Sequence, residues 1–432
     1  MKPYEFLPKS QLAPIHELPD PFLKPDGTRV ASPAEWPEQR EYLKALLAHY
    51  LYGEMPPAPG NTKGEVVYSR PVYNCRAVVE KIRITCGPNE SLVFHCEMIR
   101  PLKEGKVPVI TWNQFTDRME FACPDEEDAV LNHGYAIVEF DKEELVPDSA
   151  DALTSPLAKA YPGYSWGAIA MWAWMQSRVI DYLETTDYAD MSKIVATGHS
   201  RGGKVAICCG IYDERVAVTA PNDSGCGGCG CFRYLGGRLG EGTGTCETAG
   251  SMADAFPFWF ADEFGLYGLR NTEYTHDNCH KVNGMDVANL AKVFNPATLG
   301  KTKDEDYMPY DLHFVRAAVA PRAFISCEGL ADTWANPYGT QITWRAADEV
   351  FQFLGAAGKN AQVMRDGPHR FQKLDWEHII SFCDEVFYGK PMSENIQVIK
   401  PAVDNSPLGQ MMAIMDWTRE RYHYSWRAPE AT

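Results

Sequence analysis

The stretch that most limits how this chain can fold is Gly198-His199-Ser200-Arg201-Gly202. A short apolar run, Lys193–Thr197, leads into it, and a helical pattern, Gly202–Tyr212, leads out. Glycines on both sides of a central serine, placed between a strand and a helix, fit a turn too sharp for ordinary side chains to flank. In such a turn the strand ends inside a sheet, the helix doubles back to cover it, and the serine hydroxyl is held at the top of the sheet. The helix start behind Ser200 also favours negative charge developing there. These five residues read as a nucleophile in a strand–turn–helix setting, the alternative being an ordinary glycine-rich turn between strand and helix.

The flanking sequence repeats the same alternation. Arg76–Thr85 and Ser91–Ile99 alternate as an antiparallel pair should, whereas Val107–Trp112 and Tyr135–Glu139 are short and apolar, as strands covered on both faces are. Ile169–Leu183 has helical periodicity and Arg215–Ala220 is strand-like. Later come a strand at Ala323–Cys327, a helix at Thr343–Leu354, a strand at Ala361–Met364 and a closing helix at Trp376–Phe387. This spacing predicts an α/β fold, a mostly parallel sheet with helices on both faces. Residues 1–60, proline-rich with one helix near Glu38–Tyr52, read as an N-terminal wrap or linker. Residues 61–390 read as the catalytic domain, with an inserted loop and helix region over the active site at about 226–308, and 391–432 as a C-terminal extension.

Composition narrows the partners. Forty-one basic against 58 acidic residues leave a net charge of −17, so a basic face for nucleic acid is not expected. No run of about 18 apolar residues offers a membrane span. Met1-Lys2-Pro3-Tyr4-Glu5-Phe6-Leu7-Pro8 lacks the apolar core of a secretory leader. A cytoplasmic location is therefore expected, or a secreted one if a leader has been removed. Thirteen cysteines, an odd number scattered through core-like segments, read as reduced buried thiols. Cys226, Cys229 and Cys231 crowd one glycine-rich stretch, but a zinc site would need a second ligand pair, and Cys279 and His280 are distant and isolated. Neither metal nor organic cofactor is expected.

A serine nucleophile needs a base and an acid, which follow it in the order acid, then histidine. His369, in Arg365-Asp366-Gly367-Pro368-His369-Arg370, lies between the last strand and the closing helix, where the base belongs. His378, inside that helix, is the rival. After the strand Ala323–Cys327, Glu328 and Asp332 are both available; Asp332 lies farther into the loop and is preferred, to fix the imidazole tautomer and stabilise the imidazolium. The oxyanion hole is expected from the Arg201 N–H and a group in the loop after Val107–Trp112, where Asn113 and Gln114 lie.

With these residues in place, Gly198-His199-Ser200-Arg201-Gly202-Gly203-Lys204 resembles the signature G-[CH]-S-R-x-G-K of the glucuronoyl esterases, carbohydrate esterase family 15. Flanking motifs agree. Ser165–Trp174 is similar to the bacterial branch, and Asp223-Ser224-Gly225-Cys226-Gly227-Gly228 resembles the family's [EDN]-S-G-x-G-G segment. Met308-Pro309-Tyr310-Asp311-Leu312-His313, Ala320-Pro321-Arg322, Asp332-Thr333-Trp334 and Asp375-Trp376 follow in order. Together they span roughly half the chain.

The resemblance implies an α/β-hydrolase that cleaves esters of (4-O-methyl-)glucuronic acid, such as those joining glucuronoxylan to lignin, with an oligosaccharide uronate ester as substrate. It carries over Ser200 as nucleophile and His369 as base. Because the family draws its acid from two places, it leaves Asp223 as an alternative or second acid beside Asp332. It also implies an oxyanion role for the Arg201 guanidinium and sugar contacts from Lys204 and Trp334, with Glu241 and Glu247 as further candidates. Fungal members have a disulfide next to the catalytic histidine; His199 and Arg370 occupy those neighbourhoods here. Arg322 and the Asp311-Leu312-His313 run read as structural. The alternative functions are an acetyl-xylan or other carbohydrate esterase on the same scaffold, or a silent carbohydrate-binding homologue.

Overall fold

The structure, a computed structural model, describes residues 4–114, 129–234, 247–268, 304–332, 334–392 and 424–430. Nine strands form one sheet: β1 (Lys63–Val72), β2 (Ala77–Cys86), β3 (Leu92–Pro101), β4 (Val107–Gln114), β5 (Ala136–Asp141), β6 (Ala189–His199), β7 (Val216–Asn222), β8 (Ala323–Gly329) and β9 (Asn360–Arg365). Their order across the sheet is β1-β2-β3-β5-β4-β6-β7-β8-β9. The first three strands and the β3–β5 junction pair antiparallel, and every pairing from β5 across to β9 is parallel. This is the expected α/β arrangement, with an additional strand. β1 was not foreseen because almost all its residues are exposed and a strand wetted on both faces carries no apolar alternation.

Neighbouring residues of the central strands enter two different cores, with a register irregularity between Val216 and Val218 of β7. Ile194 and Ala196 of β6 face one side with Val216 and Phe324, while Val195 faces the other with Val218, Ala220, Ile325 and Val363. The first side is covered by the helices Ala168–Glu184, Arg201–Tyr212 and His313–Val319, whose apolar residues share that core. On the opposite side lies the closing helix Lys373–Tyr388, which buries Trp376, Ile379, Ile380 and Phe382. Each such side chain contributes on the order of 1.5–3 kcal/mol when fully buried, so both helix layers are held firmly against the sheet.

The N-terminal segment belongs to the first core: Leu18, Phe22, Trp36, Leu43 and Leu47 are buried in it. Its helix runs Trp36–Leu47 and continues as a wider turn through Ala48–Tyr52. From the C-terminal extension, Trp426 returns to this wrap, donating from Nε1 to the Leu18 carbonyl at 2.7 Å and stacking on His313 at 5.7 Å. The two ends of the chain therefore close on each other. No helix among the described residues is long and apolar enough to cross a membrane.

Candidate active site

Ser200 occupies the turn between β6 and the helix Arg201–Tyr212 with φ 57° and ψ −123°, a left-handed conformation that costs a serine on the order of 1–3 kcal/mol and persists only when its surroundings enforce it. The enforcement is visible. The Ser200 N–H donates to the Asn222 carbonyl of β7 at 2.9 Å, and the Ser200 carbonyl accepts from Gly203 N–H at 2.9 Å. A Cβ on Gly198 would lie 2.2 Å from the Gly202 carbonyl oxygen, and one on Gly202 would lie 2.4 Å from Asn113 Oδ1. Both glycines are therefore required by close approach of strand, turn and helix.

Asn113 braces the same turn. Its Nδ2 donates to the Thr197 carbonyl at 3.2 Å and to the Gly202 carbonyl at 3.0 Å. Asn113 and Gln114 belong to β4 rather than to the loop beyond it. The Asn113 amide is thus committed to the turn, and the expectation that it supplies the oxyanion hole is corrected.

The parallel register brings the remaining groups to Ser200. His199 of β6 pairs with Asn222 of β7, Asn222 with Cys327 of β8, and Gly329 of β8 with Arg365 of β9. Ser200, Asp223, Asp332 and His369 consequently all follow the carboxyl ends of neighbouring strands. His369 Nδ1 is 2.5 Å from Asp332 Oδ2, and the Asp332 side chain is 2% exposed. The other Asp332 oxygen accepts the Ala335 N–H at 3.2 Å. With Nδ1 held by the carboxylate, Nε2 is the nitrogen left to serve Ser200. The described hydrogen bonds include none from the Ser200 hydroxyl, and such contacts commonly tighten only when substrate binds. Burial works against a charged His369, but the Asp332 hydrogen bond and charge, helped by Asp223 and Glu247, prevail and raise its pKa.

The imidazole rests on a second one. The His199 and His369 ring centroids are 4.5 Å apart. His199 Nδ1 lies 2.6 Å from Asn222 Oδ1, and Asn222 Nδ2 donates to the Cys327 carbonyl, so Oδ1 is the acceptor and His199 carries its proton on Nδ1. Burial, together with the neighbouring His369, depresses the His199 pKa to about 4, which keeps this support uncharged. Phe371 stacks on Trp376 at 4.5 Å, with Trp112 against both, bedding the chain just after His369 in aromatic packing.

Asp223, 1% exposed, does not contact His369 directly. One of its oxygens accepts the Gly329 N–H at 2.6 Å, and the other accepts Arg365 Nη2 at 2.9 Å and the Arg370 N–H at 3.2 Å. Glu328 is fully buried in β8 with neither carboxylate oxygen hydrogen-bonded; burial first, then the charges of Asp223 and Asp332, raise its pKa. His378 is buried in the closing helix, its pKa pushed down to about 4 by burial and by Arg365. Among the described hydrogen bonds, none joins Glu328 or His378 to Ser200, Asp332 or His369. Asp223, Asp332 and His369 offer ligand atoms within 4.8 Å of one another, the one such group among the described residues. Asp332 and His369 bond each other there, and Asp223 is bonded to Arg365.

Beside the serine, the Arg201 guanidinium pairs with Asp148 Oδ2 and lies 4.9 Å over the Trp259 ring. Trp259 Nε1 donates to Asp148 Oδ1 at 2.8 Å, closing a triangle. Neither Asp148 nor Trp259 was singled out in the sequence; they lie 53 and 58 residues from Arg201, the first in a loop and the second at the end of the 3-10 turn Pro257–Trp259, and no local pattern connects them. Lys204, 1% exposed, is 3.2 Å from Glu247 Oε2, which also accepts the Cys226 N–H at 2.8 Å. Glu247 N–H donates to the Trp334 carbonyl at 2.9 Å. The sequence candidates Lys204 and Trp334 are therefore both tied to Glu247, the first through its ammonium and the second through its backbone carbonyl. Glu241 lies outside the described residues, as do Cys279 and His280. The thiols of Cys226, Cys229 and Cys231 are buried and in no disulfide among the described residues, and burial raises those of Cys229 and Cys231.

Other motif residues brace loops. Asp311 accepts the N–H groups of Phe232, Arg233 and Leu312, and Arg322 donates to the carbonyls of Gly210, Asp213 and Val216.

A strained serine over a strand–helix turn and an Asp–His pair on the next loops, on a largely parallel sheet, define a serine hydrolase of the α/β-hydrolase class. The profile described as "Glucuronyl esterase, fungi" matches residues 85–289 and 265–355. The chain belongs to the glucuronyl esterase family and is a carboxylic ester hydrolase. It is 26% identical over 390 residues to a 4-O-methyl-glucuronoyl methylesterase of Phanerochaete carnosa, covering 88% of this chain and 83% of that one. It is 24% identical over 439 residues to carbohydrate esterase MZ0003 of an unknown prokaryote, covering 87% and 91%. Among solved structures, the carbohydrate esterase family 15 glucuronoyl esterase of Caldicellulosiruptor kristjansonii superposes with a TM-score of 0.66 at 25% identity, over 92% of this chain and 98% of the other.

Proposed function

We propose that this enzyme hydrolyses alkyl and aryl esters of glucuronic acid and its 4-O-methyl derivative, such as ester links between glucuronoxylan and lignin alcohols. The observation that carries the reading is the 2.5 Å His369–Asp332 contact beside the Ser200 turn, one helical turn from the Lys204–Glu247 pair. His369 Nε2 takes the Ser200 proton as the hydroxyl oxygen attacks the uronoyl carbonyl. The tetrahedral oxyanion forms at the start of the Arg201–Tyr212 helix, next to the Arg201 N–H and its guanidinium, where each well-aimed donor is worth about 3–4 kcal/mol. On collapse the alcohol leaves with the proton from His369. Water, deprotonated by His369, then attacks the acyl-enzyme and releases the uronic acid and Ser200.

Lys204, Glu247 and Trp334 would meet the sugar hydroxyls and ring face on the acyl side. The curated relatives' names support the uronate reading, as do Arg201 and Lys204 in the first turns of the helix behind the serine. The test is hydrolysis of benzyl glucuronate alongside an acetylated xylo-oligosaccharide. Turnover confined to the glucuronate ester is expected; preference for the acetyl ester would make the protein an acetyl-xylan esterase on this scaffold, and no turnover with intact binding would make it a silent sugar-binding homologue.

A further inference from the structure

His369 sits on a turn that contains Gly367 and Pro368 and no helix of its own, yet general-base catalysis requires its imidazole to be placed within a fraction of an ångström. One guanidinium holds both sides of this turn. Arg365, the last residue of β9 and 3% exposed, donates from Nε to both oxygens of Asp375 at 2.8 Å. From Nη1 it reaches the Pro368 carbonyl at 3.2 Å, and from Nη2 the Arg370 carbonyl and, at 2.9 Å, Asp223 Oδ2. The two backbone carbonyls are those immediately before and after His369.

Asp223 grips the same segment from β7 by accepting the Arg370 N–H. The base loop is also zipped to the acid loop: Leu330 N–H donates to the Arg365 carbonyl at 2.8 Å and Ala331 N–H to the Gly367 carbonyl at 3.0 Å. Gly329 makes the assembly sterically possible, since a Cβ there would lie 2.8 Å from Arg365 Nη1 and 2.7 Å from the Gly367 carbonyl oxygen.

The geometry points to Arg365 as a positioning residue for the reaction: through the Pro368 and Arg370 carbonyls it sets where the His369 imidazole stands. Asp223 acts through Arg365 and the Arg370 N–H, as an anchor of the base loop rather than a second triad acid. Only a planar fork of five N–H donors can span four separate residues in this way; a lysine ammonium offers three donors from a single point. The inference rests on His369 being the base. Among the described residues, the charged and titratable groups acting on His369 include Asp332, Asp223 and Glu247, with His199 beneath its ring and Arg365 on its flanking carbonyls.

The experiment uses the full chain with benzyl glucuronate and compares Arg365→Lys and Asp223→Asn with Asp332→Asn, measuring kcat, KM, the pH profile of kcat/KM and thermal unfolding. Arg365→Lys is expected to lower kcat about 10- to 100-fold, as a misplaced reacting group does. KM should stay within about threefold, because substrate binding is not what the arginine serves. Asp223→Asn is expected to lower kcat about tenfold and to move the acid limb of the profile to lower pH, because one carboxylate that favours the imidazolium has gone. Asp332→Asn should cost about 10⁴. Wild-type kcat in a folded Arg365→Lys protein would overturn the inference, as would an Asp223→Asn loss equal to that of Asp332→Asn, which would make Asp223 a triad acid. Should Arg365→Lys not fold, the shape-preserving Asp223→Asn decides by the same readings. Undiminished turnover of His369→Ala would instead defeat the serine-esterase reading, so the two failures are distinguishable.

Discussion

Replacing Lys204 separates stability from sugar recognition. Its ammonium and the Glu247 carboxylate are 3.2 Å apart with side chains 1% and 6% exposed. At an effective dielectric constant near 20, charges at that distance attract by about 5 kcal/mol before desolvation is subtracted. Lys204→Met strands Glu247 with only the Cys226 N–H as a described donor, and leaving one partner of a buried pair costs about 3–5 kcal/mol. A chain of this length unfolds with an entropy of roughly 0.9 kcal/mol/K, so the midpoint should fall by about 3–6 °C. Adding Glu247→Gln removes the stranded charge and keeps an acceptor for Cys226, so most of that loss should return. Activity should not return with it. A charge-assisted hydrogen bond is worth about 1.5–3 kcal/mol, so kcat/KM for benzyl glucuronate should fall roughly 10- to 100-fold in both variants. Hydrolysis of p-nitrophenyl acetate, which has no sugar, should change by less than about threefold. The assay is thermal unfolding together with both esterase rates. Equal losses on the two esters, or restoration of the glucuronate rate in the double variant, would refute the sugar-binding role.

Further expectations concern the catalytic apparatus. Asp332→Asn should leave unfolding nearly unchanged but remove about 10⁴ of the rate by releasing the imidazole tautomer. Because Asp332 raises the His369 pKa and the base works deprotonated, any residual activity should show its acid limb at lower pH; an unmoved limb would contradict the assignment. Asp148→Ala removes the carboxylate that both the Arg201 guanidinium and Trp259 Nε1 bond, and kcat should fall about 10- to 100-fold with KM little changed; a wild-type kcat would detach Arg201 from the oxyanion. Gly198→Ala places a methyl group 2.2 Å from the Gly202 carbonyl oxygen, and should abolish soluble, active protein; an active variant would show that the turn is not sterically closed.

What the sequence reveals about this site is governed by how local its geometry is. The serine turn is legible because its causes lie within five residues: Gly198 and Gly202 are required by contacts with each other and with Asn113. Asp332 and His369 are legible because parallel strands place successive loops side by side, so position after a strand predicts position at the site. Asp148, Trp259 and Arg365 were not foreseen. Their interactions join residues 53, 111 and 142 positions apart, and arginines or aspartates near strand ends are common surface residues until a fold buries them. Asn113 shows the opposite failure: the expected location was nearly right, but its amide is consumed by the turn. The C-terminal segment carries no periodicity that would show it returning to the N-terminal wrap, because the contact is made by Trp426 with Leu18, 408 positions away, and with His313.

The most direct test of the account is the rate of benzyl glucuronate hydrolysis by Ser200→Ala beside the wild-type enzyme, with matched unfolding curves. Ser200→Ala should keep an intact fold and show a turnover reduced about a millionfold, as when a serine nucleophile is removed from a working triad. A folded Ser200→Ala protein that turns over within about tenfold of wild type would contradict the assignment of Ser200 as nucleophile.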